Sequence, residues 1–198
     1  IEYLKKAAEV LKNTFANKGT VLFVGTSPAS KNIIKKTAEK LESPYVSERW
    51  LGGTLTNFKT ITGRINYFKK LKEDKKSGKL EKYTKKEQLD KAKELVKLEK
   101  LFGGIETLDK LPSIIFIADL SENEYAAREA RQKKIPVVGF LNTDTDPTLI
   151  DHPIPGNDRN ITSVELLMKY LEEAANEGKK QALIKKEEPK PKADNPKG

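Results

Sequence analysis

An α/β fold with a doubly wound sheet and an inserted helical hairpin is predicted by three features of the sequence. Short apolar runs rich in β-branched residues recur, as in Val21-Leu22-Phe23-Val24 and Ile114-Ile115-Phe116-Ile117, and such runs mark strands covered on both faces of a parallel sheet. Helical spacings lie between them, giving the β-loop-α-β order of a doubly wound sheet. After the second strand comes a lysine-rich stretch of helical periodicity, with no strand until Ser113.

Residues 1–16 read as an amphipathic helix, with Leu4, Ala7, Ala8 and Leu11 at helical spacing, and Gly19 breaks the pattern. A strand follows at 20–24, a loop at 25–30, and a helix at 31–41 with Ile33, Ile34, Ala38 and Leu41 on one face. Pro44-Tyr45-Val46 starts a second strand. Next stands Arg49-Trp50-Leu51-Gly52-Gly53-Thr54-Leu55-Thr56-Asn57, which holds the only tryptophan and a Gly-Gly pair. Glycine reaches backbone angles closed to other residues and lets another backbone approach. The stretch is therefore read as a corner that aims the helical segment after it. Its structural candidates are Trp50, Gly52, Gly53 and Asn57, together with the turn residues Gly156, Asn157 and Asp158.

Beyond the corner, Ile61, Ile65, Phe68 and Leu71 recur at spacings of three and four, and Ser77-Gly78 interrupts them. Thr84-x-x-Glu87 is a capping-box pattern. It opens a second helix with Leu89, Ala92, Leu95, Leu98 and Phe102 on one seam, closed by Gly103-Gly104. Two helices with narrow apolar seams and a short polar link predict an antiparallel hairpin. Its first helix would be roughly 30 Å long, enough to stand off the body. The α/β pattern then resumes: a strand at 113–119, a helix capped by Ser121-x-x-Glu124 and running to Lys133, a strand at 136–141, a polar loop at 142–151, a turn at 153–158 and a helix at 162–177. From Gly178 onward Lys, Glu and Pro dominate, and a disordered tail is expected. The organisation is thus a body of residues 1–55 and 105–177, an inserted hairpin of residues 56–104, and a basic tail of residues 178–198.

Charge is distributed unevenly. The chain carries a net +9, and residues 59–100 hold fifteen Lys or Arg against seven Asp or Glu. Residues 179–198 hold seven against three, so the body is slightly acidic and the hairpin and tail supply the excess. Clustered Lys and Arg are the footprint of a polyanion partner, and a solvated lysine-rich helix is the bland alternative. The candidate contacts are Arg49, Lys59, Arg64, Lys69, Lys70 and Lys72, with Lys31 at the start of the second helix. No interleaved aromatics accompany them, which favours phosphate and shape recognition over base reading. Two readings of Arg49 stand: an ion pair with an acid such as Glu48 or Asp158, or a phosphate contact. Trp50 is read as packed under the hairpin.

Other chemistries find little support. Cysteine is absent and His152 is the only histidine, which argues against disulfides, transition-metal sites and His-based triads. The loop at 25–31 lies where phosphate sites occur, but it has neither G-x-G-x-x-G nor Gly-Lys-Ser/Thr. Asn142, Asp144 and Asp146 alternate like calcium ligands, yet Pro147 and Pro153 stand where such a loop needs Gly and Glu. No apolar run is long enough for a membrane span. No secretion-signal pattern opens the chain, and Ile1 in place of Met leads us to expect a preceding segment.

The Arg49 to Asn57 stretch continues into Phe58-Lys59-Thr60. With Val21-Leu22-Phe23-Val24-Gly25-Thr26, Leu98-Glu99-Lys100, Gly103-Gly104-Ile105 and Ile154-Pro155-Gly156-Asn157-Asp158, it resembles, in order and spacing, the family of the second protein of the small ribosomal subunit in its bacterial or organellar form. The likeness runs over residues 1–175. It implies a Rossmann-like (flavodoxin-like) parallel sheet with helices on both faces and a protruding antiparallel coiled-coil hairpin. It further implies no catalysis, no cofactor and no small-molecule substrate. The implied protein is a structural constituent of the small subunit, bound to its rRNA between head and body. Its implied neighbours are other small-subunit proteins, among them the S1-domain protein that captures mRNA. The implied location is the cytoplasmic ribosome, with an organellar ribosome as the alternative. Ser27-Pro28 stand where the family has basic residues, and Arg159 where it has an acid. The other readings are a nucleotide-binding enzyme or switch, and a non-ribosomal coiled-coil adaptor.

Overall fold

The computed structural model describes residues 1–187. Five parallel strands form one sheet: β1 (Val21–Val24), β2 (Tyr45–Val46), β3 (Ile114–Ile117), β4 (Val137–Leu141) and β5 (His152–Pro155), in the order β2-β1-β3-β4-β5. This is the flavodoxin-like order, with its topological switch point between β1 and β3. The helices are α1 (Glu2–Ala16), α2 (Lys31–Lys40), α3 (Phe58–Lys76), α4 (Lys85–Phe102), α5 (Glu124–Gln132) and α6 (Ile161–Glu187).

Every residue of β1 and β3 is buried, so both faces of the sheet are covered. Successive side chains alternate between two cores. On one face Val21, Phe23, Ile114, Phe116, Val138 and Phe140 meet α1, α2 and α6. Phe23 stands opposite Phe116 in register, with ring centroids 5.6 Å apart, and Phe140 meets Phe116 edge-on at 5.3 Å. On the other face Leu22, Val24, Ile115, Ile117 and Val137 pack with Trp50, Leu55, α3, α4 and α5.

The structure places α3 closer to the sheet than the sequence suggests. Its seam of Ile61, Ile65, Phe68 and Leu71 is buried in the same core as β1 and β3, together with Leu95, Leu98 and Phe102 of α4. Only the distal part stands clear: no residue from Lys72 to Glu94 is buried. The capping box of Thr84 and Glu87 forms at the start of α4.

Three elements differ from the sequence reading. The turn expected at 153–158 contains a strand, β5. It pairs only with β4, and an edge strand tolerates the prolines that suggested a turn. Ser121 does not cap α5. Asn123 precedes the helix, and its side chain is turned inward to Asp119 and Thr26. Finally, α6 runs through Gly178 to Glu187 rather than ending at 177. Gly178 is not a terminator. It lies against the backbone of Lys12 in α1, where any Cβ would collide with the Lys12 carbonyl oxygen. Ala182, one turn further on, is buried. The remainder of the expected tail lies outside the described residues.

The close approach of α1 and α6 yields a test. Gly178→Ala should destabilise the fold by about 1–3 kcal/mol by forcing the two helices apart. Were Gly178 only a helix breaker, thermal denaturation would show an unchanged or raised Tm.

Candidate nucleic-acid interface

The corner after β2 is organised by one carboxylate. Glu129 of α5 lies on the same face as Ala126, one helical turn away, and reaches into the corner. Its Oε1 accepts from Trp50 Nε1 at 3.1 Å and from the Gly53 amide at 2.7 Å. Its Oε2 accepts from the amides of Leu55 and Thr56 at 3.0 and 3.1 Å and from Thr56 Oγ1 at 3.0 Å. Successive amides can converge on one anion only if the chain curls into a nest. Gly53 supplies that curl with φ +90°, an angle that strains any residue with a Cβ. Burial pushes the Glu129 carboxyl up, but the donors from Trp50, Gly53, Thr56 and Leu55 outweigh it and hold the carboxyl below the ordinary glutamate range.

Trp50 is buried, with Leu55 wholly so. Asn57 sits at the N-cap of α3, where its Oδ1 accepts from Thr60 Oγ1 rather than from a backbone amide. Gly52 is different. Its φ is not positive, and a Cβ there would meet nothing within 4 Å. Gly156, Asn157 and Asp158 follow the edge strand β5 and form a separate turn. Asp158 is buried and accepts from Asn142 Nδ2 at 2.9 Å, and Asn157 Oδ1 accepts from the Arg159 amide. Among the described residues no hydrogen bond joins this turn to the Arg49 to Asn57 corner. Arg159 is paired with Asp144.

The candidate cations divide into two sets. Lys31 pairs with Glu48 at 2.6 Å, Lys69 with Asp109 at 3.8 Å and Lys72 with Glu106 at 3.0 Å. Lys72 also lies over the Phe68 ring, 5.4 Å from its centroid. Arg49, Lys59, Arg64 and Lys70 are exposed and form no ion pair among the described residues. Neither acid considered for Arg49 holds it, since Glu48 is taken by Lys31 and Asp158 bonds Asn142. On α3, Lys59, Gly63 and Lys70 fall at i, i+4 and i+11, on the face opposite the buried seam. Gly63 has open space around it and stands mid-helix, where glycine costs about 1 kcal/mol relative to alanine.

At the switch point the β1–α2 loop is already occupied by protein. Asp119, at the end of β3, is buried. It accepts from the Thr26 and Ser27 amides, from Ser30 Oγ and from Asn123 Nδ2. Burial raises the Asp119 carboxyl above its ordinary range against these donors. Two amides that face a phosphate in a dinucleotide fold are thereby satisfied internally.

Glu129 and Asp119 escaped the sequence reading. The one signal for Glu129 is an acid three residues after Ala126, on an otherwise small and apolar helix face. Nothing local marks its partners in the corner, far earlier in the chain.

Known proteins resemble this chain over most of its length. The model of the family described as Ribosomal protein S2 matches residues 1–178. The chain is 44% identical over 178 residues to the Small ribosomal subunit protein uS2 of Nocardia farcinica, covering 90% of this chain and 62% of that protein. It is 43% identical over 178 residues to the protein of the same name from Mycobacteroides abscessus, covering 90% and 64%. To that of Pseudarthrobacter chlorophenolicus it is 45% identical over 181 residues, covering 90% and 62%. The chain thus spans less than two thirds of the length of these relatives.

Removing the carboxylate tests its role. Glu129→Ala leaves the Trp50 indole and three amides without their acceptor and should cost about 2–4 kcal/mol in chemical denaturation. The sign with pH is set by the lowered carboxyl. The latch contributes fully above about pH 4.3, the ordinary glutamate value, and is lost as pH falls through the lower folded value. The variant should therefore show a shallower loss of stability in that acid range than the parent protein.

Proposed function

The chain belongs to the ribosomal protein S2 family, and on that premise we propose that it is a structural, non-catalytic constituent of the small ribosomal subunit that binds small-subunit rRNA through phosphate contacts. The observation that carries this reading is the set of exposed, unpaired cations: Arg49 at the corner, Lys59 and Lys70 on the outward face of α3, and Arg64 beside its seam. They project from a protein whose body is slightly acidic and has several of its own cations in ion pairs. The open glycine at 63 supports the same surface. A glycine that costs helix stability without relieving any crowding fits a place where a sugar-phosphate backbone comes close to the helix axis. Lys31, Lys69 and Lys72 are secondary contacts, because each would have to exchange an acidic partner for a phosphate.

The family likeness further supports a place between head and body, a role in subunit assembly, and recruitment of the S1-domain protein that captures mRNA. Leu89 and Val96, seven residues apart on α4 and both more than half exposed, offer a strip suited to a protein neighbour. The expected location is the cytoplasmic ribosome, with an organellar ribosome as the alternative. No helix among the described residues is long and apolar enough to cross a membrane.

Association with small subunits in sucrose gradients should persist at moderate salt, and its absence would sink the proposal. Affinity for small-subunit rRNA should fall with salt at a log–log slope of about −3 for four phosphate contacts. Arg49→Ala, Lys59→Ala, Arg64→Ala and Lys70→Ala should each lessen that slope by about 0.7–0.9 with Tm unchanged. A slope unmoved by all four changes would place the contact elsewhere. Gly63→Ala should raise stability by roughly 1 kcal/mol yet weaken rRNA binding.

A further inference from the structure

Beside the switch point lies a cleft of about 610 Å³, walled by Thr26, Arg49, Trp50, Gly52, Glu122 and Tyr125. Doubly wound sheets bind ligands in this crevice, beyond the carboxyl ends of the strands where the strand order reverses. A cleft of this volume is within the range of small-molecule and cofactor sites. Three features of its walls are left unexplained by the fold. Tyr125 is 76% exposed and presents its ring to solvent. Arg49 and Glu122 are exposed and carry opposite charges, yet neither has a polar partner among the described residues. Gly52 has an ordinary φ and no crowding, so neither backbone strain nor packing accounts for its missing side chain. Glycine without such a need fits a wall that a ligand approaches closely.

The phosphate position usual for this fold is closed, since Asp119 holds the amides of Thr26 and Ser27. A phosphate-bearing ligand must therefore place its anion elsewhere, and Arg49 is the cation available. Of the two acids in the walls, Glu48 is held by Lys31 and Glu122 has no partner among the described residues, and an aromatic face beside an unpaired carboxylate suits a base that offers two hydrogen-bond donors on one edge. Guanine does so through N1–H and the exocyclic amino group. Adenine presents an acceptor at N1 and a single amino group there. We propose that this cleft binds a guanine nucleotide, with the base stacked on Tyr125, its Watson–Crick edge on the Glu122 carboxylate and its phosphate on the Arg49 guanidinium. Stacking and edge reading of this kind serve free nucleotides and unpaired RNA bases alike. The shared chemistry is one unstacked guanosine monophosphate unit. The site shares Arg49 with the proposed rRNA surface but does not need the cations of α3.

Isothermal titration of the full chain with 5′-GMP, 5′-AMP and guanosine tests the site. Saturable GMP binding is expected, at least about fivefold tighter than AMP if the carboxylate reads both donors. Guanosine, lacking the phosphate, should bind several-fold more weakly. Glu122→Gln should abolish the preference for GMP. Gly52→Phe should fill the cleft and abolish GMP binding with Tm unchanged, because its side chain starts in open space. Comparing the nonamer A4GA4 with A9 then separates the sources. Tighter, guanine-dependent binding of the nonamer assigns the site to an RNA base, and binding of GMP alone assigns it to the free nucleotide. Absence of saturable binding by both GMP and the nonamer overturns the proposal. So does equal binding of GMP and AMP, or GMP binding that Gly52→Phe leaves unchanged. Gly52→Phe leaves the α3 cations in place, so the drop in rRNA salt slope on adding Lys59→Ala or Lys70→Ala to that protein tests the rRNA reading whatever the outcome at the cleft.

Discussion

A single carboxylate, that of Glu129, joins the parts of this protein that sequence keeps apart. The Arg49 to Asn57 corner must turn the chain from β2 at one edge of the sheet toward α3 and expose backbone amides in doing so. Amides turned inward need acceptors, because an unsatisfied buried donor costs about as much as several good contacts provide. Glu129 satisfies three of them and the Trp50 indole at once. The direction in which α3 leaves the body is thus fixed to α5, and through α5 to β3 and β4. The exposed cations at the base of α3 inherit their placement from this contact.

The same chemistry occurs a second time ten residues earlier. Asp119 gathers the amides of the β1–α2 loop and the side chains of Ser30 and Asn123. The β3–α5 unit therefore supplies both internal anions, one for the first loop of the sheet and one for the corner. Their balance differs with depth. Asp119 is almost wholly inside the protein, and burial prevails over its hydrogen bonds, raising its carboxyl. Glu129 is only partly covered, and its donors prevail, lowering its carboxyl. Acidification therefore loosens the corner, whereas the raised Asp119 carboxyl makes no comparable demand for ionisation.

Charge follows the same division of labour. The body keeps its cations near acids, as in Lys12–Glu177 and Lys40–Glu172, while α3 presents Lys59, Arg64 and Lys70 without such partners. Exposed pairs of this kind add little to stability. Their consequence is an external field that is weak over the body and positive along α3, the asymmetry expected where a polyanion meets one face only.

The doubly wound class, the buried strands β1, β3 and β4, the seam of α3 and the Leu95, Leu98 and Phe102 part of the α4 seam were legible in the sequence, whereas Leu89, expected on that seam, is exposed. Each rests on a local period or a run of β-branched residues, and burial on a sheet face demands that pattern wherever it occurs. The need for glycine at 53 was legible as a turn signal, whereas Gly52 has open space around it and the 156–158 turn forms separately from the corner. Local pattern could not give β5, because two prolines in six residues mean a turn unless the strand is known to lie at an edge. Nor could it give the course of α6 through Gly178, a residue whose lack of a side chain is set by the backbone of Lys12 and not by its neighbours in the chain. It could not separate Lys31, Lys69 and Lys72 from Arg49, Lys59, Arg64 and Lys70, since an ion pair depends on which acid the fold brings near. The sequence alone determined those strands and helices that rest on a local period, and where positive charge would concentrate. Tertiary structure alone decided that Glu129 fills the corner, that Asp119 closes the first loop and that Gly52 faces an open cleft, because each depends on groups meeting across separations that no local period encodes.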